Sequence, residues 1–514
     1  MVCNNYADYM IASEESEPGT GWYYTDWLTQ LSKNTSVSTE SIGKTIVDTF
    51  VTASQRAQAN AQVTLSVLDL AKMQGTVPQA LRSFSTSTTN LIKGNNYKQV
   101  ADARANARQF ARQSRINQVD MIDLCDRIGT AESKTLSAAL KGCVAYNKST
   151  MTRAYGVSVY FPYETLSGVK NAINTYNNLG IDSEYTKCIQ SFASVGQGGQ
   201  FASSASQQGY GSYSSGGDLL STLLGGFMDS GSYGSSGSSP YGSSSPLGSL
   251  TGGYTNSSGS YSAGNSVDAS TIYDLLNAFS GRSMPAALDW VDTGLVASKA
   301  LDISENRLDP ARITITDKNG VPTLVLTDAE WGLIETAALN IFVDDGQGFI
   351  DLGCDNYLEY DQNDDLILGF DGTWLCLDGN PAAFYMMEAG EEGTYGRIPA
   401  KITRNGEEML MNIMVFIDQD GDAEVLGADP LYAGETETQA KGGIPLEKGD
   451  KIQLLCDYYT YDNAYEGSYT LGKAFTAGSS IIVDYRAISN DDVSVSYRLT
   501  DIYGNVYWTP AYIY

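Results

Sequence analysis

The turn Asp418-Gln-Asp-Gly-Asp422 sets Asp418, Asp420 and Asp422 around one glycine. Carboxylates at that spacing offer the hard oxygen donors that calcium takes. The stretches DDGQGFIDLGCD (344–355) and DQNDD (361–365) have the same character. A full calcium loop also needs a distal bidentate glutamate, and none follows Asp418 at the right spacing. A plain acidic hairpin turn is the alternative, so calcium is the one candidate cofactor and no other is called for. Histidine is absent from all 514 residues. A Ser-His-Asp triad, a Cys-His dyad or a histidine-ligated zinc site therefore cannot be assembled from these residues alone. The seven cysteines, Cys3, Cys125, Cys143, Cys188, Cys354, Cys376 and Cys456, are sparse and form no C-x-x-C pair. Most read as small buried hydrophobes, although Cys354 and Cys376 could pair across neighbouring strands. A Ser-Lys hydrolase needs no histidine, but SESIGK and AESK read as exposed helical turns. The tyrosine-rich stretch YYTYDNAYEGSY (458–469) suits either strand packing or a carbohydrate or peptide platform.

The charge balance narrows the partners. With 32 Lys+Arg against 60 Asp+Glu, the formal charge is -28 and the pI is near 4.3. Such a chain repels phosphate backbones, which argues against nucleic acid, and favours cations and basic partners. MVCNNYADYM has no basic n-region, so a signal peptide is not expected in this chain. No run reaches the ~18 apolar residues of a membrane helix, so no membrane span is expected.

Elements that would position these groups fall into zones. In residues 1–195 short apolar strands alternate with helical patterns, which implies α/β layers. Tyr6–Ser13 reads as a strand buried on both faces, as in a parallel sheet. A helix over Thr25–Lys33 would bury Trp27, Leu28 and Leu31. Another would start near Ser38 or Thr39 and bury Ile42, Ile46, Val47 and Phe50. Val63–Leu70 is a strand, and Pro78–Leu91 is helical. Val119–Ile128 continues the sheet or opens a helix, and Ala131–Thr150 has a helical period. Gly156–Tyr163 is a strand stopped at Pro162. The helix Leu166–Leu179 would end at Gly180. Residues 196–266 are Gly/Ser/Tyr-rich and hold no Lys or Arg. Such composition predicts a disordered linker, with an island, Gly216–Ser230, able to form one amphipathic helix. Residues 267–285 carry a short helical segment, Ala269–Gly281. From 286 to 514 the chain is acidic and strand-rich. Asn319-Gly320 between alternating runs is a strong hairpin signal. Repeated strand–turn–strand punctuation predicts an antiparallel β-sandwich-like or barrel domain.

The first zone resembles the clostripain family of cysteine peptidases. The resemblance rests on YADYMIASEESEPGTGWYYTDWL (Tyr6–Leu28), TLSVLDLAKM, VDMIDLCD and GVSVYFPY, in that order, over about residues 4–163. It implies a caspase-like, three-layer α/β fold, here only in part. In such peptidases the nucleophilic Cys sits in an Asp-x-Cys motif before the strand matching ADYMIAS, and the catalytic His lies on an earlier strand. The resemblance therefore implies an N-terminally truncated peptidase whose catalytic His and Cys lie upstream of Met1. Nothing like Asp-x-Cys surrounds Cys3, so no catalytic residue is assigned here. The family also implies that the loop after ADYMIAS lines the pocket for a basic P1 side chain. Ser13, Glu14, Glu15, Glu17 and Asp26 are the candidates, with Trp22 as an apolar wall. A solvated acidic turn is the alternative for each. Calcium dependence is implied for some members.

The function expected from these readings is the C-terminal part of a clostripain-like cysteine endopeptidase, acting on a peptide or protein substrate after basic residues. Its partner would be the missing N-terminal peptidase half, and it would be inactive alone. The intact protein is expected to be extracellular or at the cell surface. The alternative is a non-catalytic secreted or surface binding protein built on a degenerate peptidase half plus a β-domain.

Overall fold

The computed structural model describes residues 6–207 except 20, 58–60, 112–116 and 164–165, and residues 288–513 except 356–357, 364, 391–392, 431–443, 462–464 and 488–491; between these it describes only 269, 272, 273 and 276. Two compact units result, the first built mainly on residues up to 196 with 288–299, the second on 300–430 and 444–513.

The first unit is α/β. Its elements in order are β1 (Tyr9–Ala12), α1 (Tyr24–Lys33), α2 (Thr39–Ala57), β2 (Thr64–Asp69), α3 (Leu70–Lys93), α4 (Tyr97–Asn106), β3 (Gln109–Phe110), β4 (Gln118–Asp120), α5 (Met121–Ile128), α6 (Ala131–Cys143), β5 (Val144–Ser149), β6 (Ser158–Tyr160), α7 (Leu166–Asn178) and α8 (Ser183–Gln207). β1, β2 and β5 form one antiparallel sheet in that order, and β3, β4 and β6 form a second.

The centre of this unit follows from the two-residue period of β2. Leu65 and Val67 point to one face, where Ile46, Val47, Phe50 and Val51 of α2 cover them. Both are fully buried, and each such side chain contributes ~1.5–3 kcal/mol of burial. Thr64 and Ser66 point the other way and are also buried, so their hydroxyls must find partners inside the protein.

Several sequence expectations change here. β1 pairs antiparallel with β2, not parallel, and is half-buried along its length. Among the described residues β1 is an edge strand, which explains its partial exposure. Trp27 does join the α2 core as a half-buried contact, but Leu28 and Leu31 of α1 stay exposed. The helical reading of Ala131–Thr150 holds only to Cys143, after which Val144–Ser149 turns into a strand on β2. Tertiary pairing overrides a weak helical period there. Val119–Ile128 does both things the pattern allowed, with β4 leading directly into α5.

α3 starts earlier than the pattern shows, at Leu70. Asp69 Oδ1 accepts a hydrogen bond from Lys72 N at 2.9 Å and caps the helix. Replacing Asp69 by Ala should cost about 1 kcal/mol, read as a lower urea midpoint, whereas Asp69→Ser should restore most of it. α8 continues to Gln207, beyond the point where the Gly/Ser/Tyr composition begins. Residues 208–266, the island Gly216–Ser230 and most of Ala269–Gly281 lie outside the described residues.

The second unit is rich in antiparallel sheet. Its largest sheet has eleven strands among the described residues. The main path runs Ala423–Pro430, Glu407–Ile417, Gly393–Arg404, Lys451–Thr460, Gly348–Asp355, Ile334–Asp344, Val493–Asp501 and Val506–Trp508. A core including Ile341, Ile398, Ile413, Val415, Leu454, Val495 and Leu499 lies on it. Asn319 and Gly320 form the expected tight hairpin, with Lys318 opposite Val321 and both turn residues at positive φ. Cys354 and Cys376 do not pair: both are free and buried, and they lie in different sheets.

Candidate functional site

β1 ends at Ala12, and the next three residues fold over the start of β2. Thr64 Oγ1 accepts hydrogen bonds from Glu14 N at 2.8 Å and Glu15 N at 3.2 Å. Ser13 Oγ donates to Glu15 O at 2.7 Å and lies 3.1 Å from Thr64 Oγ1. This turn carries both glutamates inward, and they are only 5 % and 7 % exposed. The acidic loop that the sequence leaves as either pocket or solvated turn is thus buried at these two positions.

Glu15 Oε1 accepts from Ser16 N at 2.7 Å and Ala111 N at 3.0 Å. Glu14 meets a different set of groups. Its Oε2 accepts from Gly156 N at 2.8 Å. The preceding amide, Tyr155 N, donates to Asp120 Oδ2 at 2.5 Å. Asp120 also caps α5, its Oδ1 accepting from Asp123 N at 2.8 Å. Two consecutive backbone N–H groups therefore hold one carboxyl each. Asp120 is fully buried. Burial pushes both acids well above the ordinary carboxyl range, and the charge of Asp120 raises Glu14 further. Among the described residues neither acid forms an ion pair with Lys or Arg.

Two acceptors at this place have no donor. Glu14 Oε1 and Asn147 Oδ1 are both buried and unpartnered among the described residues. The orientation of Asn147 is set by its Nδ2, which donates to Ala154 O at 2.9 Å. Gly156 lies between the flanking strands. Ser66 Oγ donates to Gly156 O at 2.9 Å, and a Cβ on Gly156 would stand 3.0 Å from Ser66 Cβ and 3.4 Å from Asn147 Cγ. The cluster is thus assembled from the end of β1, from β2 and β5, from the β4–α5 junction and from the loop before β6. It is rich in buried acceptors.

The other sequence candidates separate from it. Glu17 Oε2 accepts from Trp22 Nε1 at 3.0 Å, and Trp22 packs on the α2 core. Asp26 is exposed in the first turn of α1, and no contact among the described residues joins it to Glu14 or Asp120. Asp120, Asn147 and Gly156 were not picked out from the sequence. Asp120 has a local signal, an aspartate directly before an apolar helical run. Its proximity to Glu14, over a hundred residues away, has none.

Asp418, Asp420 and Asp422 form the hairpin turn between Glu407–Ile417 and Ala423–Pro430. Asp418 Oδ1 accepts from the backbone N–H of both Asp420 and Asp422 at 2.9 Å. That carboxylate closes the turn from within. Asp361 and Asp365 instead hold Lys318 Nζ between them. Among the described residues no group of three or more His, Cys, Asp or Glu is arranged to hold a metal ion.

The six described cysteines are all free and buried. Burial raises the thiols of Cys125, Cys143, Cys188, Cys354, Cys376 and Cys456, which opposes thiolate formation. Cys3 lies outside the described residues.

Residues 2–193 match the model of the clostripain family. This part of the chain is thereby related to cysteine peptidases, whose substrates are proteins. No curated protein and no solved structure matches the chain.

Proposed function

We propose that this chain supplies the specificity half of a clostripain-like cysteine endopeptidase that cuts after basic residues. The catalytic His and Cys come from polypeptide outside these 514 residues, and the α/β unit is the back part of a caspase-like, three-layer domain. The β-rich unit is a sandwich-like appendage. The intact protein acts outside the cell or on its surface.

The observation that carries this reading is the Glu14–Asp120 pair. Both carboxyls are buried, each is held by a main-chain N–H, and neither forms an ion pair with Lys or Arg among the described residues. Buried charge without a counter-ion costs several kcal/mol, and an incoming Lys or Arg side chain relieves that cost. Ser13, Glu15 and the main chain around Gly156 shape the wall. The lack of histidine and the raised thiols agree with a reactive centre supplied from elsewhere.

The test is co-production of the chain with the segment encoded upstream of it, assayed on peptide reporters with Arg, Lys or Ala at P1. Cleavage after Arg or Lys is expected, and none from the chain alone. Glu14→Gln or Asp120→Asn should lower kcat/KM on the Arg reporter at least about 30-fold, the ~2 kcal/mol lower bound for losing one partner of a buried pair. Absence of cleavage after basic residues in the combined protein would remove the proposal and favour a non-catalytic binding protein.

A further inference from the structure

We propose that Asn405–Gly406, the tip of the hairpin joining Gly393–Arg404 to Glu407–Ile417, is a site of spontaneous covalent modification, and that the matching turn Asn319–Gly320 is guarded against the same reaction by Asp317. Gly406 N gives its proton to solvent and forms a bond to Asn405 Cγ. The bond from Cγ to the side-chain nitrogen breaks, and that nitrogen leaves as ammonia after taking a proton from water. Water then opens the cyclic imide. Cleavage at Cγ leaves aspartate, and cleavage at the main-chain carbonyl leaves isoaspartate.

Asparagine before glycine closes this ring readily, because glycine puts no Cβ in the way of its own nitrogen. The chain has two such pairs, Asn319–Gly320 and Asn405–Gly406. Each is a two-residue loop, closed by Lys318 opposite Val321 in the first and by Arg404 opposite Glu407 in the second. The asparagines have φ +59° and +54°, and the glycines +86° and +85°. All four residues are exposed, and a Cβ on either glycine would meet nothing within 4 Å. The two turns differ at the reacting nitrogen. Gly320 N donates to Asp317 Oδ1 at 2.6 Å. Thr403 stands in the place of Asp317, and among the described residues no side chain accepts from Gly406 N. The attacking species is the amide nitrogen without its proton. At Gly320 that proton is held in a charge-assisted hydrogen bond, and a nitrogen anion would stand beside a carboxylate. Gly406 N meets neither obstacle.

The modified turn no longer fits its strands. Isoaspartate carries the main chain through Cγ and lengthens a loop whose two residues fix the register of both strands. Arg404 borders that loop. Its Nε and Nη2 hold the carboxylate oxygens of Asp450 at 2.8 and 2.6 Å, and its Nη1 holds Glu447 at 2.9 Å. Asp450 is almost wholly buried, so a displaced Arg404 leaves a carboxylate without its cation. Either product also adds a negative charge beside Glu407 and Glu408, in a chain already at -28.

The experiment is peptide mapping by mass spectrometry of the full chain, aged at mildly alkaline pH. The amide-to-acid mass gain is read at Asn405 and Asn319, and isoaspartate by its separate elution. Asn405 should convert at least about tenfold faster, the rate ratio expected for one charge-assisted hydrogen bond. Asp317→Thr should bring Asn319 up to the rate of Asn405, and Thr403→Asp should slow Asn405, each with an unchanged near-UV spectrum. In urea, where both turns are lost, the two rates should converge. Equal rates in the folded chain, or a faster Asn319, overturn the guarding role of Asp317. An Asn405 that stays intact while the urea-unfolded chain converts overturns the site. Neither outcome bears on the basic-pocket reading.

Discussion

Gly353→Ala should unfold the β-rich unit more readily than any other single methyl added there, by about 4 kcal/mol. Gly353 sits at φ +90° in the strand Gly348–Asp355, at a bulge against Ile334–Asp344. A Cβ at this position would stand 1.9 Å from Phe384 O and 2.6 Å from Phe384 C. Both are main-chain atoms, so no side chain can swing away. Phe384 is fixed on both sides: its N donates to Leu352 O and its O accepts from Cys354 N, each at 2.8 Å. The backbone must separate, and two buried hydrogen bonds go with it. Left-handed strain adds ~1–2 kcal/mol, and a disrupted core contact brings the sum into the range of the most damaging single substitutions. Gly421→Ala is the control. It has nearly the same φ, +86°, with nothing within 4 Å of the added atom. It should cost only the conformational part, ~1–2 kcal/mol. Urea midpoints for the two variants decide the matter, and equal losses would show that the collision is relieved.

Raising the pH should weaken the same unit until Asp351 is made neutral for good. Asp351 lies opposite Asp457 in the pairing of Gly348–Asp355 with Lys451–Thr460, and both are buried. Burial first, and then the Asp457 charge, push the Asp351 carboxyl up to about 8. In the unfolded chain an aspartate titrates near 3.9. Between about pH 4 and pH 8 the native state therefore keeps a proton that the unfolded state has lost, so stability falls as pH rises through that window and levels off above it. Four units at 1.36 kcal/mol each set an upper limit of about 5 kcal/mol. Asp351→Asn has no proton to lose, and its Oδ1 can still accept from Gly353 N. It should flatten the profile and be more stable than the parent at pH 8 by about 2–3 kcal/mol. Denaturant unfolding at pH 5, 6.5 and 8 reads this directly. An unchanged slope in the variant would assign the pH response to another group.

How much of this was legible beforehand varies with the range of the interaction. Asn319-Gly320, Gly180 and the α2 helix were readable because turn chemistry and helical period are local. The family segment was readable from its motifs. Glu14 and Glu15 stood out as an acidic loop. Their burial did not, because Thr64 and Ala111 supply the inward hydrogen bonds from distant positions. Asn147 was hidden inside a stretch with a helical period that becomes a strand only when paired with β2. The edge position and antiparallel pairing of β1 were equally hidden, since an apolar run has the same composition in either kind of sheet.

The alternation along β2 ties two properties into one constraint. Leu65 and Val67 hold α2, while Thr64 and Ser66 anchor the Glu14 turn and the Gly156 carbonyl. A slip of one residue would exchange these roles, setting hydroxyls beneath the helix and methyl groups against the acids. The protein therefore has no route to a misaligned yet sturdy variant: whatever keeps its interior dry also keeps its buried acids in register.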